Sequence, residues 1–265
     1  MPINVKDPSR TRQSPVTLAT FPSWGSWPGW RHARSQHSVY LKEGVLRFTM
    51  KIVIAGGHGK IALILEKLLA EAGHTPVGII RNPAHAADVV ATGASALLLD
   101  LESTTPDALA DALGDDTDAV VFAAGGGPGS GAERKLTVDR DGAILLTDAA
   151  EKAGIKRVVI LSAMGADDFE DGSDDEFQVY LRAKSEADAD LRGRDLDWTV
   201  VRPGGLTDDA ARGLITTAEK TGTGTIPRAD VASLLAVLLT DGLGIGKQFE
   251  VISGDSYIRD AAIAL

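Results

Sequence analysis

The chain has 265 residues, 44% of them hydrophobic, no cysteine and a formal net charge of −10. That length buries one sizeable core or two small ones. The missing thiols exclude disulfides and cysteine-ligated metals, and the charge argues against nucleic-acid backbones and anionic membranes as partners. No run approaches the ~18 apolar residues of a membrane span. A small-molecule partner and a cytoplasmic setting are therefore expected.

Residues 1–49 hold seven Lys/Arg against two acids, and three of the four tryptophans, Trp24, Trp27 and Trp30. Pro, Ser and Arg are scattered through them with no sustained helical or strand period. They contain no signal peptide, because no apolar stretch follows the basic start. The segment is expected to be a disordered leader of the kind an upstream start codon chosen in error would add. The alternative is a basic, Trp-bearing arm that binds a partner.

From Met50 the pattern becomes regular. Strand 51–55 leads to a helix over 59–72 that Gly73 stops. Strand 76–80 ends at Arg81-Asn82-Pro83, and a short helix runs to Thr92. Strand 96–99 ends in Asp100-Leu101. The next helix is capped by Thr104 or Thr105, with Pro106 in its first turn. Strand 118–124 enters a run of glycines, and one long helix is expected over 132–153. Strand 157–162, an acidic loop over 166–176, a helix over 177–192 and strand 197–202 follow. Residues 204–226 are rich in Gly and Thr, and then come helix 228–240, strand 247–252 and a short C-terminal helix.

Strands that are apolar throughout and alternate with helices imply an α/β fold, a doubly wound parallel sheet covered on both faces. Residues 50–265 form one Rossmann-type domain on this reading. The stretch 204–226 is too small for a second domain and is expected to form a substrate lid over the C-terminal ends of the strands.

The chemistry starts at Met50–Ala62, MKIVIAGGHGKIA. A buried strand feeding a glycine turn that opens a helix is a dinucleotide-binding signature. Gly56 permits a sharp turn, Gly59 lets a pyrophosphate approach the helix N-terminus, and Ala62 lets helix and strand pack closely. Arg81, with no acid beside it at the end of the second strand, favours NADP over NAD by charge. Asp100 and Leu101 are placed to meet an adenine ring.

Tyr180 and Lys184 lie four residues apart and share a helix face, and Ser162 ends the preceding strand. A lysine ammonium near a phenol favours its ionisation. The phenol can then exchange a proton with a carbonyl oxygen while hydride moves at carbon. Ser162 would hydrogen-bond the same oxygen. His74 and His85 read as surface residues, and His58 as a phosphate contact. The acidic run Asp167–Glu176 reads as a solvated loop. No His/Asp/Glu cluster has metal-ligand spacing.

Several segments stand together in a telling order: GGHGKIA, LDLE (99–102), VFAAGGG (121–127), VDRDGA (138–143), RVVILSAMGA (157–166), YLRAKSEAD (180–188), WTVVRPGGL (198–206) and IPRADVA (226–232). Over residues 50–265 the chain resembles the atypical short-chain dehydrogenases/reductases. The resemblance is to their NAD(P)H-binding, NmrA-like branch, often described as epimerase/dehydratase-like or flavin/biliverdin-reductase-like.

The resemblance implies that Gly56, Gly57, His58, Gly59, Lys60 and Ile61 wrap the pyrophosphate. Arg81 would face the 2′-phosphate, and Asp100 and Leu101 would hold adenine. Ala123, Ala124 and Gly125 would line the nicotinamide ribose, whose hydroxyls Lys184 binds. Pro203, Gly204, Gly205 and Leu206 would border nicotinamide and substrate, and Ser162, Tyr180 and Lys184 would be catalytic. The expected activity is hydride transfer between NADP(H), or NAD(H), and a small carbonyl compound. The alternatives are nucleotide-sugar epimerase or dehydratase chemistry and a non-catalytic NADPH sensor.

Overall fold

The computed structural model describes residues 39–42, 45–127 and 129–265. The leader expected over residues 1–49 therefore lies outside the described residues except at its end. There, β1 (Val39–Lys42) and β2 (Val45–Phe48) pair antiparallel, Val39 opposite Phe48 and Lys42 opposite Val45. The sequence reading gave this stretch no strand. VYLK and VLRF each carry a valine and an aromatic residue, which favour strands.

The chain continues with β3 (Lys51–Ala55), α1 (Lys60–Glu71), β4 (Thr75–Ile80), α2 (Ala86–Ala91), β5 (Ser95–Leu98), α3 (Pro106–Leu113) and β6 (Ala119–Phe122). Then come α4 (Ala132–Arg134), a π-helical segment (Lys135–Asp141), α5 (Gly142–Lys152), β7 (Arg157–Leu161), α6 (Glu176–Arg192) and β8 (Asp197–Pro203). The last part comprises β9 (Gly205–Thr207), β10 (Leu214–Ala218), β11 (Thr225–Pro227), α7 (Arg228–Thr240), β12 (Lys247–Ser253), β13 (Ser256–Tyr257) and α8 (Ile258–Ile263).

Nine of these strands form one sheet in the order β13-β10-β12-β8-β7-β6-β3-β4-β5. From β12 to β5 every pairing is parallel. This is the doubly wound Rossmann arrangement, with β3 and β6 flanking the point where the strand order reverses. Alternate residues of β3 feed opposite faces. Ile52 and Ile54 join the core under α1, α7 and α8, whereas Val53 and Ala55 join the core under α3, α5 and α6.

The structure departs from the expected elements in two further places. The long helix over 132–153 is interrupted by the π-helical segment, in which the Gly142 amide bonds the Thr137 carbonyl five residues back. The stretch 204–226 is not a free lid. β10 extends the main sheet antiparallel to β12, and β9 pairs with β11. Two buried carboxylates pin what lies between. Asp230 accepts from the Arg212 and Gly213 amides, and Glu250 accepts from the amide and hydroxyl of Thr221. Gly/Thr-rich sequence carries little strand signal, so tertiary pairing decides here.

Gly56 has φ +83°, and a Cβ there would sit 2.6 Å from the Ala124 Cα. Gly57 faces inward, where a Cβ would sit 2.6 Å from the Gly78 Cα. Both Gly57 and Gly78 also make room for Oε1 of Glu66, which is fully buried on α1 and has no hydrogen-bond partner for that atom. The Thr92 hydroxyl donates to Oε2 at 3.3 Å.

Burial pushes the Glu66 carboxyl up from 4.5 to about 8, against the opposing Thr92 hydrogen bond. Folding then takes up a proton between those values. The contribution of Glu66 to stability is greatest below pH 4.5, falls as the pH rises through about 8, and levels off above it. Glu66→Gln should flatten that slope. In urea unfolding at about pH 5.5 and about pH 8.5, the wild type should lose roughly 2–4 kcal/mol more than the variant.

Candidate functional site

The glycine turn delivers α1 to the C-terminal ends of β3 and β6. α1 starts at Gly59 with no side-chain cap and no acid in its first turn. Its first intrahelical bond runs from the Leu63 amide to the Gly59 carbonyl, 2.9 Å. The amides of Lys60, Ile61 and Ala62 precede that bond, and the Lys60 ammonium beside them is paired with Asp208 at 2.5 Å. A helix N-terminus in this state favours an anion.

Two cavities meet at this N-terminus and share Gly59, Ala123, Ala124 and Gly125. The smaller, about 280 Å³, is lined by Gly56, His58, Arg81, His85, Asp100, Leu101, Glu102 and Arg134 among others. The larger, about 820 Å³, is lined by Lys60, Ile61, Lys135, Asp139, Ser162, Phe177, Tyr180, Lys184, Leu206 and Arg228 among others. The two cavities thus lie on either side of the helix N-terminus. A cradle that excludes a Cβ at Gly56 and an uncapped helix start fit a pyrophosphate.

The larger cavity has a charged floor. Lys184 Nζ lies 3.2 Å from Asp139 Oδ1 and donates to the Leu161 carbonyl at 3.2 Å, with both charged residues buried. It also sits 5.3 Å from the Phe122 ring centroid and 5.9 Å from that of Tyr180. Asp139 Oδ2 accepts from the Gly126 amide at 2.9 Å. Side chains at Gly125 or Gly126 would collide with Asp139 or Ser130, so this glycine run makes room for a carboxylate of the protein itself. Lys135 reaches the Gly127 carbonyl and lies 3.4 Å from Glu176.

Lys184 acts on Tyr180 in the expected direction, but burial opposes it. Burial raises its pKa, Lys184 opposes, and the carboxylates of Asp139 and Asp188 add to the rise. The net direction is up, because burial outweighs the Lys184 charge. Tyr180 is half-buried, stacks loosely on Phe177 at 6.1 Å, and its hydroxyl bonds no described residue.

Ser162 also differs from expectation. Its hydroxyl donates to Asp188 Oδ2 at 2.7 Å, one helical turn beyond Lys184. Arg202 Nε donates to the same oxygen at 2.9 Å. The rest of the Arg202 guanidinium holds Asp167 at 2.6 and 2.8 Å, and these bonds lead the causes that keep that carboxyl at about 2. Part of the acidic run is therefore anchored rather than simply solvated.

Of the residues expected to bind the cofactor, Gly56, His58, Arg81, Asp100 and Leu101 come together at the smaller cavity. Lys60, Ile61, Ser162, Tyr180, Lys184 and Leu206 come together at the larger one. Gly59, Ala123, Ala124 and Gly125 lie between. Gly57, Pro203, Gly204 and Gly205 line neither. A Cβ at Gly204 would sit 2.4 Å from the Gly224 carbonyl, so this glycine serves strand packing.

His58 and His85 stack with centroids 3.7 Å apart, and His58 Nε2 lies 2.8 Å from Asp88. His85 is thus part of the site's wall and not a lone surface residue. Asp139, Asp188, Arg134 and Glu102 were not singled out. VDRDGA, LDLE and YLRAKSEAD carry three of them, but nothing in those patterns says which side chains turn inward. No group of three or more potential metal-ligating side chains gathers among the described residues.

The parallel sheet, the reversal point and the glycine cradle define a dinucleotide-binding Rossmann protein. Residues 56–242 match the family model described as NAD(P)H-binding. The chain belongs to this NAD(P)H-binding family of the atypical short-chain dehydrogenase/reductase type. It is 33% identical over 213 residues to the "Uncharacterized sugar epimerase YhfK" of Bacillus subtilis, covering 80% of this chain and 98% of that one. A solved Bacillus halodurans structure described as "Putative NAD-dependent epimerase/dehydratase" superposes with TM-score 0.75 at 36% identity, covering 82% of this chain and all of that one. The oxidoreductase ylbE of Lactococcus lactis superposes with TM-score 0.70 at 29% identity, over 82% and 96% of the two chains. No described helix is long and apolar enough to cross a membrane.

The Lys184–Asp139 pair gives a direct check on this geometry. Lys184→Met alone strands a buried carboxylate and should cost about 3–5 kcal/mol in chemical denaturation. Lys184→Met combined with Asp139→Asn should recover much of that loss. Equal destabilisation by the single and double variants would contradict the pairing.

Proposed function

We propose that the protein is a cytoplasmic oxidoreductase that moves a hydride between NADP(H) and a small carbonyl compound or the corresponding alcohol. The observation that carries this reading is the uncapped start of α1 between two adjoining cavities. One cavity is edged by arginines and the other is floored by Tyr180, Lys184 and Ser162. The α1 amides and Lys60 would hold the pyrophosphate. Arg81 would face the 2′-phosphate, and Asp100 and Leu101 the adenine. The bound nicotinamide supplies or accepts the hydride.

The residues of the larger cavity do the rest. Tyr180 stays protonated and offers its hydroxyl to a substrate oxygen as hydrogen-bond donor and general acid. Lys184, neutralised by Asp139, serves to hold ribose hydroxyls more than to ionise the phenol. Ser162 gives its hydrogen to Asp188, so it presents a lone pair to the cavity and can accept from a substrate hydroxyl. Alcohol oxidation is also the opening step of epimerase chemistry. This feature of Ser162, with the name of the Bacillus subtilis relative, supports sugar epimerisation as the second reading.

Calorimetric titration with NADPH and NADH tests the cofactor, and a carbonyl and alcohol panel with each cofactor tests the reaction. NADPH should bind at least tenfold tighter than NADH, and Arg81→Ala should erase most of that preference. Tyr180→Phe should leave binding intact and cut turnover about 10²-fold or more. Failure of both dinucleotides to bind would remove the reading. Tight binding with no turnover, and no effect of Tyr180→Phe, would identify a sensor instead.

A further inference from the structure

Arg81 is not alone at the edge of the smaller cavity. Arg134, from α4, reaches the same place. Both guanidinium groups converge on one carboxylate, with Glu102 Oε2 accepting from Arg81 at 3.2 Å and lying 2.8 Å from Arg134. The other carboxylate oxygen, Oε1, accepts from the Thr137 hydroxyl at 2.7 Å. Three donors from three segments, the end of β4, α4 and the π-helical segment, thus gather around a single anion.

Two arginines and a hydroxyl make a donor set suited to a phosphate. Here a protein side chain fills it. Glu102 brings one negative charge, whereas a phosphate monoester brings about −1.5 to −2 at neutral pH. The two anions repel at this distance, so the donors cannot serve both. Glu102 lies on an exposed turn, held through its backbone amide by Asp100 Oδ1 at 3.1 Å. Its side chain can therefore leave for solvent while the turn stays in place.

We propose that Glu102 is an internal stand-in for the cofactor's 2′-phosphate, and that Arg134 and Thr137 form, with Arg81, the site that receives that phosphate. In the free protein Glu102 keeps the three donors assembled. NADP(H) displaces it, whereas NAD(H), lacking the phosphate, leaves it in place to accept a hydrogen bond from the ribose hydroxyl. Glu102 therefore sets how strongly the site prefers one cofactor over the other. The inference rests on the dinucleotide reading above and adds to it the residues that discriminate.

The test is calorimetric titration of the full chain with NADPH, NADH, adenosine 2′,5′-bisphosphate, 5′-AMP and inorganic phosphate. Thermal melts confirm that each variant folds. Glu102→Gln keeps the shape and removes the repulsion. It should tighten NADPH and the bisphosphate about tenfold and leave NADH and 5′-AMP unchanged or weaker. Arg134→Met should weaken NADPH about tenfold with NADH changed less than about twofold, and Arg134→Lys should restore part of the loss.

Equal effects of either variant on NADPH and NADH would overturn the proposal. So would inorganic phosphate binding as tightly as the bisphosphate, which would mark a general anion site. A wild-type NADPH preference that depends on Arg81 but ignores Glu102→Gln and Arg134→Met would sink this inference and leave the cofactor reading standing. Binding of neither dinucleotide would sink both.

Discussion

The candidate site depends on one buried ion pair, Lys184 with Asp139. Two charges taken out of water are held only where hydrogen bonds satisfy what remains of each group. Lys184 finds the Leu161 carbonyl at the end of β7, and Asp139 finds the Gly126 amide in the loop after β6. The pair therefore ties α6, the π-helical segment, β7 and the glycine loop into one floor. It also decides the electrostatics. Lys184 favours the Tyr180 phenolate, and burial with the Asp139 and Asp188 carboxylates opposes it.

Helix geometry around this pair has a recognisable cause. Bonding five residues back widens the turn between α4 and α5, a device often found where a helix serves a site. In that short segment Lys135 and Asp139 reach the larger cavity, while Thr137 reaches Glu102 at the smaller one. One irregular turn thus connects the two cavities. A regular helix over the same residues would present a different set of side chains to each.

A second network works from the other side. Arg202 joins Asp188, which orients Ser162, to Asp167 in the loop before α6. The acidic loop is bound through this guanidinium to the strand-end serine, and Ser185 adds a hydrogen bond to Asp167 at 2.7 Å. Asp188 Oδ1 stays buried without a hydrogen-bond partner among the described residues, and burial raises the carboxyl despite its neighbours Arg202, Ser162 and Lys184. Such tension among buried charges is common where a structure is shaped for chemistry more than for stability.

Local sequence was enough for the parallel sheet, the glycine turn, the grouping of Ser162, Tyr180 and Lys184 around one cavity, and a threonine cap on α3, which the structure settles as Thr105 rather than Thr104. Apolar strand periods, helix stops and i,i+4 spacing act over a few residues, and those residues carry them wherever they occur. What the chain could not announce was settled by contacts across long separations. Among these are the pairing of β10 with β12, the inward turn of Gly57 onto Gly78, the partner of Lys184 and the meeting of Arg81 with Arg134 at Glu102. Each needs two distant segments to be close before either side chain has anything to bind. Lys184, which the sequence offers to Tyr180, is also paired with Asp139, 45 positions away in the numbering, because the fold puts them in the same dry space.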